Sequence, residues 1–256
     1  MIKENGHHWN NEIGQSFDWI KAQEYEARSI GSWFKENYQT VLNTYRTIKE
    51  KGLKESPLSE FFHDENDWLS FCDYIFDKTC IEIGVAVAGP IAFWTGLKRR
   101  ILIDPLLDKY RELVLEIIGE ESWFTDDIEY YSTKGEFKLQ NLIEQIDRAI
   151  ISRNCLDHCD SPWKVLENLS LYAKTGCYLL LWTDLWHLHG SDEGHRNITK
   201  NRNEFADMIR KMGWKILREV NIRNDGSTIE YGCVARKLSS QKIEYESQQS
   251  IRMIND

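Results

Sequence analysis

Five short apolar runs, each followed by a helix-like or polar stretch, constrain this chain more than any other feature of its sequence. They are Thr79–Ile83, Arg100–Asp104, Ile128–Tyr131, Arg148–Ser152 and Cys177–Trp182. Several carry apolar residues at consecutive positions, so both faces of the strand must be covered. Strands of that kind alternating with helices imply a parallel sheet with right-handed crossovers. Helix signals fall where such crossovers need them. Ser161-Pro162 supplies a cap and a first-turn proline, Val165, Leu166, Leu169 and Tyr172 form one face, and Gly176 follows. Thr199 is the expected cap of a helix carrying Phe205, Met208, Ile209 and Met212 and ending at Gly213. The last two strand-like runs, Trp214–Ile222 and Ser227–Arg236, flank Asp225-Gly226 and read as a hairpin. The expected fold is therefore α/β and doubly wound, with a mostly parallel seven-stranded sheet closed by a C-terminal antiparallel hairpin.

Before the first strand, residues 1–66 are polar and rich in aromatics. Ile20, Ala22 and Tyr25, and then Trp33, Tyr38, Val41 and Tyr45, stand at helical spacing, which predicts two or three amphipathic helices. Pro57 and the acidic stretch at His63-Asp64-Glu65 mark a boundary. The expected organisation is an N-terminal helical lid (1–66), a main domain (67–238) and a polar tail (239–256).

Net charge is −9, from 32 Lys+Arg against 41 Asp+Glu, which argues against nucleic acid as the main partner. The six cysteines show no repeated C-x-x-C, so reduced, buried thiols are expected rather than a zinc ribbon or a disulfide framework. No apolar run approaches the roughly 20 residues of a membrane span, and the polar start shows no secretory signal. A cytoplasmic protein is expected, and a homo-oligomer stays open.

Two positions stand out at the strand ends. Glu82 closes the first strand and is followed by Gly84, Ala86 and Gly89, a bend of small residues where backbone can approach a ligand closely. Asp104 closes the second strand, and a carboxylate there can accept both hydroxyls of a ribose. The plain alternative is a strand-to-helix turn with Asp104 as a helix cap.

With these residues in place, 79–237 resembles the class I S-adenosylmethionine-dependent methyltransferases, in the type 11-like group. Glu82 and Gly84 match the acid and first glycine of its first motif, and Ile101–Pro105 its second. The segment Arg153–Pro162, containing Leu156-Asp157-His158, is similar to the one after strand four in that group. Tyr172–Cys177 stands where the group has Leu-Lys-Pro-Gly-Gly. Ala86 and Ala88 depart from the pattern by replacing glycines. The resemblance implies S-adenosylmethionine as cofactor, held by Glu82, Gly84, Ala86, Gly89, Asp104 and Asn154, with Glu136 and Phe137 beside the adenine. It implies methyl transfer to a hydroxyl of a sugar or other small-molecule acceptor, in surface-glycan or small-metabolite synthesis. A nicotinamide dinucleotide enzyme uses the same ribose acid but needs G-x-G-x-x-G for a pyrophosphate. A non-catalytic partner subunit that has lost cofactor binding is the other alternative, motivated by Ala86 and Ala88.

Candidate bases are histidines. His158, beside Asp157, either braces the next helix or acts directly. Between Asp184 and His195 lie three histidines (His187, His189, His195) and three carboxylates in twelve residues, and one of these imidazoles is expected to meet the acceptor. A divalent metal on this cluster is the bolder alternative, but without a recognisable ligand pattern no metal is expected, and Cys155 and Cys159 around His158 read as buried thiols. Pocket roles in the lid fall to one or two of His8, Trp9, Phe17 and Trp19, the other aromatics serving as anchors.

Overall fold

A computed structural model describes residues 19–188, 195–220, 224 and 227–239. The strands are β1 (Thr79–Ile83), β2 (Arg99–Ile103), β3 (Ile128–Tyr131), β4 (Ala149–Arg153), β5 (Tyr178–His187), β6 (Trp214–Val220) and β7 (Thr228–Lys237). They form one sheet in the order β3-β2-β1-β4-β5-β7-β6. All neighbours pair in parallel except β7, which runs antiparallel between β5 and β6. The expected architecture is the one found. The loop joining β6 to β7, with Asp225-Gly226, lies outside the described residues except for Asn224 and Ser227.

Because side chains alternate across a strand, each buried strand feeds two cores. From β1 and β4, Cys80, Ala149 and Ile151 point into one, and Ile81, Ile83 and Ile150 into the other. The first core is roofed by α1 (Trp19–Lys51), α2 (Glu65–Ile75), α3 (Pro90–Phe93) and α4 (Leu107–Ile118); the second by α5 (Pro162–Tyr172) and α6 (Arg202–Lys211). Burying both faces explains why these strands lack the polar alternation of a half-exposed sheet.

Two local expectations need correction. Where two or three amphipathic helices were expected, the described residues of the N-terminal zone form short 3-10 turns at 53–61 and one long α-helix, α1, of 33 residues. Gly31 is tolerated inside it, because one glycine weakens a helix by only about 1 kcal/mol. Phe34, Val41, Leu42, Tyr45 and Ile48 make its buried stripe. The cap of α6 is Asn201, whose side chain accepts from the amides of Asn203 and Glu204, while the Thr199 hydroxyl accepts from the amide of Asn201. Both can act as caps, and asparagine takes the position where the chain turns into the helix. Ser161 caps α5 as expected, accepting from the amide of Lys164.

Candidate active site

The carboxyl ends of β1, β2, β4 and β5 meet under the first half of α1. Behind β1 the chain turns at Gly84, whose φ of +73° lies in the left-handed region. A side chain there is excluded twice over, since a Cβ would lie 2.1 Å from the Cβ of Cys155. Ala86 also sits at positive φ, +49°, so this alanine is held where the resembling group has glycine. Its amide donates to Asp104 Oδ2 at 3.2 Å, tying the bend to the end of β2. Gly89 is extended, and what it needs is room: a Cβ would meet Glu82 Oε2 at 2.7 Å.

Both acids are buried. Glu82 accepts from the amide of Ile91 at 3.0 Å, and burial pushes its carboxyl up to about 8. Asp104 accepts from Ala86 and, through Oδ1 at 2.8 Å, from Leu106. Burial first, and then the charge of Glu26 on α1, raise Asp104 to about 7. Asp104 is not the cap of α4, which is Leu106 with no side-chain cap bond; it holds the turn just before that helix through the Leu106 amide and still presents carboxylate oxygens with acceptor capacity.

Two spaces adjoin this frame. A crevice of about 410 Å³ runs from the Val85–Gly89 bend past Asn154 and Trp182 to His158 and His195, under Tyr25 and Trp33 of α1. That volume is in the range of small-molecule sites. On the Asp104 side only about 30 Å³ remains, because Trp19, Gln23 and Glu26 of α1 fill it. Lys134 rests over the Trp19 ring, 3.4 Å from its centroid, and pairs with Asp160 at 2.7 Å.

The histidines gather around one carboxylate. Asp157 is fully buried, with Oδ2 2.6 Å from His195 Nδ1 and 3.6 Å from His158 Nε2, and Oδ1 accepting from the Thr183 hydroxyl. Burial opposes its ionisation, but His158 and His195 outweigh burial and hold it below the usual carboxylate range. The His158 and His195 rings stand 4.2 Å apart. His158 Nδ1 faces Glu26 Oε2 at 4.0 Å. The Glu26 side chain is 21% exposed, and burial raises its pKa despite that histidine.

Of the residues expected in the site, Glu82, Gly84, Ala86, Gly89 and Asn154 line the larger crevice, and Asn154 is itself at positive φ. Asp104 and Glu136 line the smaller space, where Glu136 also accepts from the amide of Ser161. Phe137 is a correction: it is 59% exposed and borders neither space, because the turn holding it is drawn toward Tyr172, whose hydroxyl donates to its carbonyl. His187 belongs to β5, which extends further than expected, and not to a covering loop. Its ring is 5.7 Å from that of His195. His189, His8, Trp9 and Phe17 lie outside the described residues.

Two contributors escaped the sequence reading. Glu26 lies four residues after Ala22 and four before Ile30, an acid on an inward stripe, and that placement was its only signal. Trp123 gave none. Its indole donates to the carbonyl of Val87 at 2.9 Å, fixing the bend, while its ring packs on Phe34, Tyr45 and Phe93.

The strand order and the antiparallel seventh strand are those of the class I methyltransferase fold. No family model and no curated protein matches the chain. Among solved structures, the [4+2]-cyclase SpnF is 12% identical over 69% of this chain and 83% of its own, with a TM-score of 0.51. A SAM-dependent methyltransferase from Aquifex aeolicus is 18% identical over 76% of this chain and 98% of its own, with a TM-score of 0.47.

Proposed function

We propose that the protein is an S-adenosylmethionine-dependent methyltransferase acting on a hydroxyl of a small molecule such as a sugar. The observation that carries this reading is the joining of Asp104 to the Gly84–Gly89 bend at the carboxyl ends of adjacent strands, beside a crevice lined by histidine. The residues fit the cofactor in chemistry. Asp104 offers carboxylate oxygens for a ribose, and the bend with Asn154 offers close backbone for the amino-acid end. Room on the nucleoside side is taken by the first turns of α1. Up to Phe34 that helix fully buries only Ala22 and Gln23, whereas Phe34 and the stripe beyond it are set in the core. The turns of α1 before Phe34 thus act as a lid that withdraws, with Gly31 as the weak point of the helix.

When bound, adenosylmethionine supplies a methyl group made electrophilic by its sulfonium. The protein's part is alignment, exclusion of water and removal of the hydroxyl proton. The His158–His195 pair takes that proton at the crevice wall, and buried Asp157 orients the imidazoles and stabilises the resulting positive charge.

A second reading is favoured by the filled space at Asp104: a methyltransferase-fold partner subunit that does not bind the cofactor. Titration with adenosylhomocysteine separates the two. Binding is expected, and Trp19→Ala should tighten it by about 2- to 30-fold, since the lost ring–ammonium contact is worth about 0.5–2 kcal/mol. No binding at millimolar ligand in either protein would establish the second reading.

A further inference from the structure

The carboxyl ends of β4 and β5 carry a further grouping, which shares Asp157 and His195 with the proposed base and leaves His158 to take the proton when an ion fills it. Asp157, Asp184, His187 and His195 each offer one ligand atom, and these four atoms all lie within 4.8 Å of one another. They come from three places: the turn after β4, the end of β5, and the segment at 195–199 that hydrogen-bonds beside them. That segment is pinned by the amide of Arg196 to the carbonyl of Asp157 at 2.9 Å and by the amide of Ile198 to that of Leu185 at 2.8 Å.

The geometry points to a site for one divalent transition-metal ion, and we propose that these four side chains bind it. Ligand bonds of about 2.0–2.2 Å place ligand atoms roughly 3–4 Å apart around a common centre, close to the spread found here. His187 Nε2 is 3.2 Å from Asp184 Oδ2, yet that nitrogen and Asp184 Oδ1 are buried without a hydrogen-bond partner among the described residues. An ion between these side chains would satisfy both unpartnered atoms, Asp184 Oδ1 and His187 Nε2. The surroundings hold the ligands as an outer shell does: Thr228 Oγ1 is 3.3 Å from His187 Nδ1, and the Thr183 hydroxyl donates to Asp157 Oδ1. Two imidazoles with two carboxylates are a borderline donor set. It suits Zn2+, Mn2+ or Co2+, whereas Mg2+ and Ca2+ prefer all-oxygen shells.

Binding of the ion stands by itself, while its use rests on the proposed methyl transfer. His195 and His158 line the acceptor crevice, so the ion would sit at its wall and lower the pKa of an acceptor hydroxyl as a Lewis acid. The sequence raised a divalent metal on the 184–195 cluster only as an alternative, without a ligand pattern; Asp157, brought from the turn after β4, completes the set.

The test uses the full chain stripped with chelator and titrated calorimetrically with Zn2+, Mn2+, Co2+ and Mg2+. One transition-metal ion per chain is expected, with Co2+ developing visible absorption and Mg2+ binding at least tenfold more weakly. Asp184→Asn and His187→Gln, which keep side-chain volume, should each weaken binding more than tenfold. Thr228→Val, changing only the outer shell, should weaken it by about tenfold. Absence of binding to the native chain, or one ion bound equally well by Asp184→Asn and His187→Gln, overturns the site. Adenosylhomocysteine is titrated into the same samples. Nucleoside binding without ion binding removes the ion and leaves the methyltransferase reading; ion binding without nucleoside binding keeps the site and removes that reading.

Discussion

Replacing Asp104 with asparagine keeps its size and removes its charge, and the consequence for nucleoside binding can be worked from its surroundings. The carboxyl sits near 7, raised by burial and then by Glu26. Only the ionised form can accept from both ribose hydroxyls, so the competent fraction is about one-tenth at pH 6 and about nine-tenths at pH 8. Affinity of the native protein for adenosylhomocysteine should therefore rise about tenfold from pH 6 to pH 8 and level off above. At pH 8 the asparagine variant should bind about 1–3 kcal/mol more weakly, because hydrogen bonds to a charged acceptor are worth roughly twice those to a neutral one. Its affinity should also lose the slope. Glu26→Gln removes a nearby negative charge and should move the rise to lower pH. Calorimetric titration at constant ionic strength reads all three. A flat profile in the native protein, or the same slope in Asp104→Asn, would refute the assignment of Asp104 to the ribose.

Gly84→Ala combines left-handed backbone strain with a Cβ 2.1 Å from that of Cys155. Urea melts should show a loss of about 2–4 kcal/mol, and a loss below 1 would mean that the bend relaxes freely. For Glu82 the folded carboxyl, near 8, lies above its ordinary 4.5, so the folded state keeps a proton that the unfolded state has released. The stability this proton brings is complete below pH 4.5 and falls away as pH rises toward 8, by about 1.4 kcal/mol per pH unit. Glu82→Gln cannot titrate, so its stability relative to native should climb across that window; parallel pH profiles would contradict the burial argument. His158→Ala and His195→Ala should each lower kcat by about 100-fold or more while changing adenosylhomocysteine affinity little. Full turnover in both would dismiss the pair as base.

The sequence by itself determined the sheet and the frame of the site. Runs apolar on both faces leave a strand no stable place except between two helical layers. Glu82, Gly84 and Asp104 sit at the carboxyl ends of their strands because those ends are where the apolar runs stop. Local rules also served at Ser161 and Gly176, where one residue governs one turn. They failed where two signals competed within three residues, as at Thr199 and Asn201, and where a neighbour decided exposure, as at Phe137. Only the tertiary structure could bring Glu26 to His158 across 132 positions of chain, or set Trp123 under Val87. The same holds for the grouping of Asp157 with Asp184, His187 and His195. Side chains at the ends of neighbouring parallel strands meet because hydrogen bonding sets those strands about 4.8 Å apart, a proximity fixed by β4 lying beside β5 and carried by no spacing along the chain.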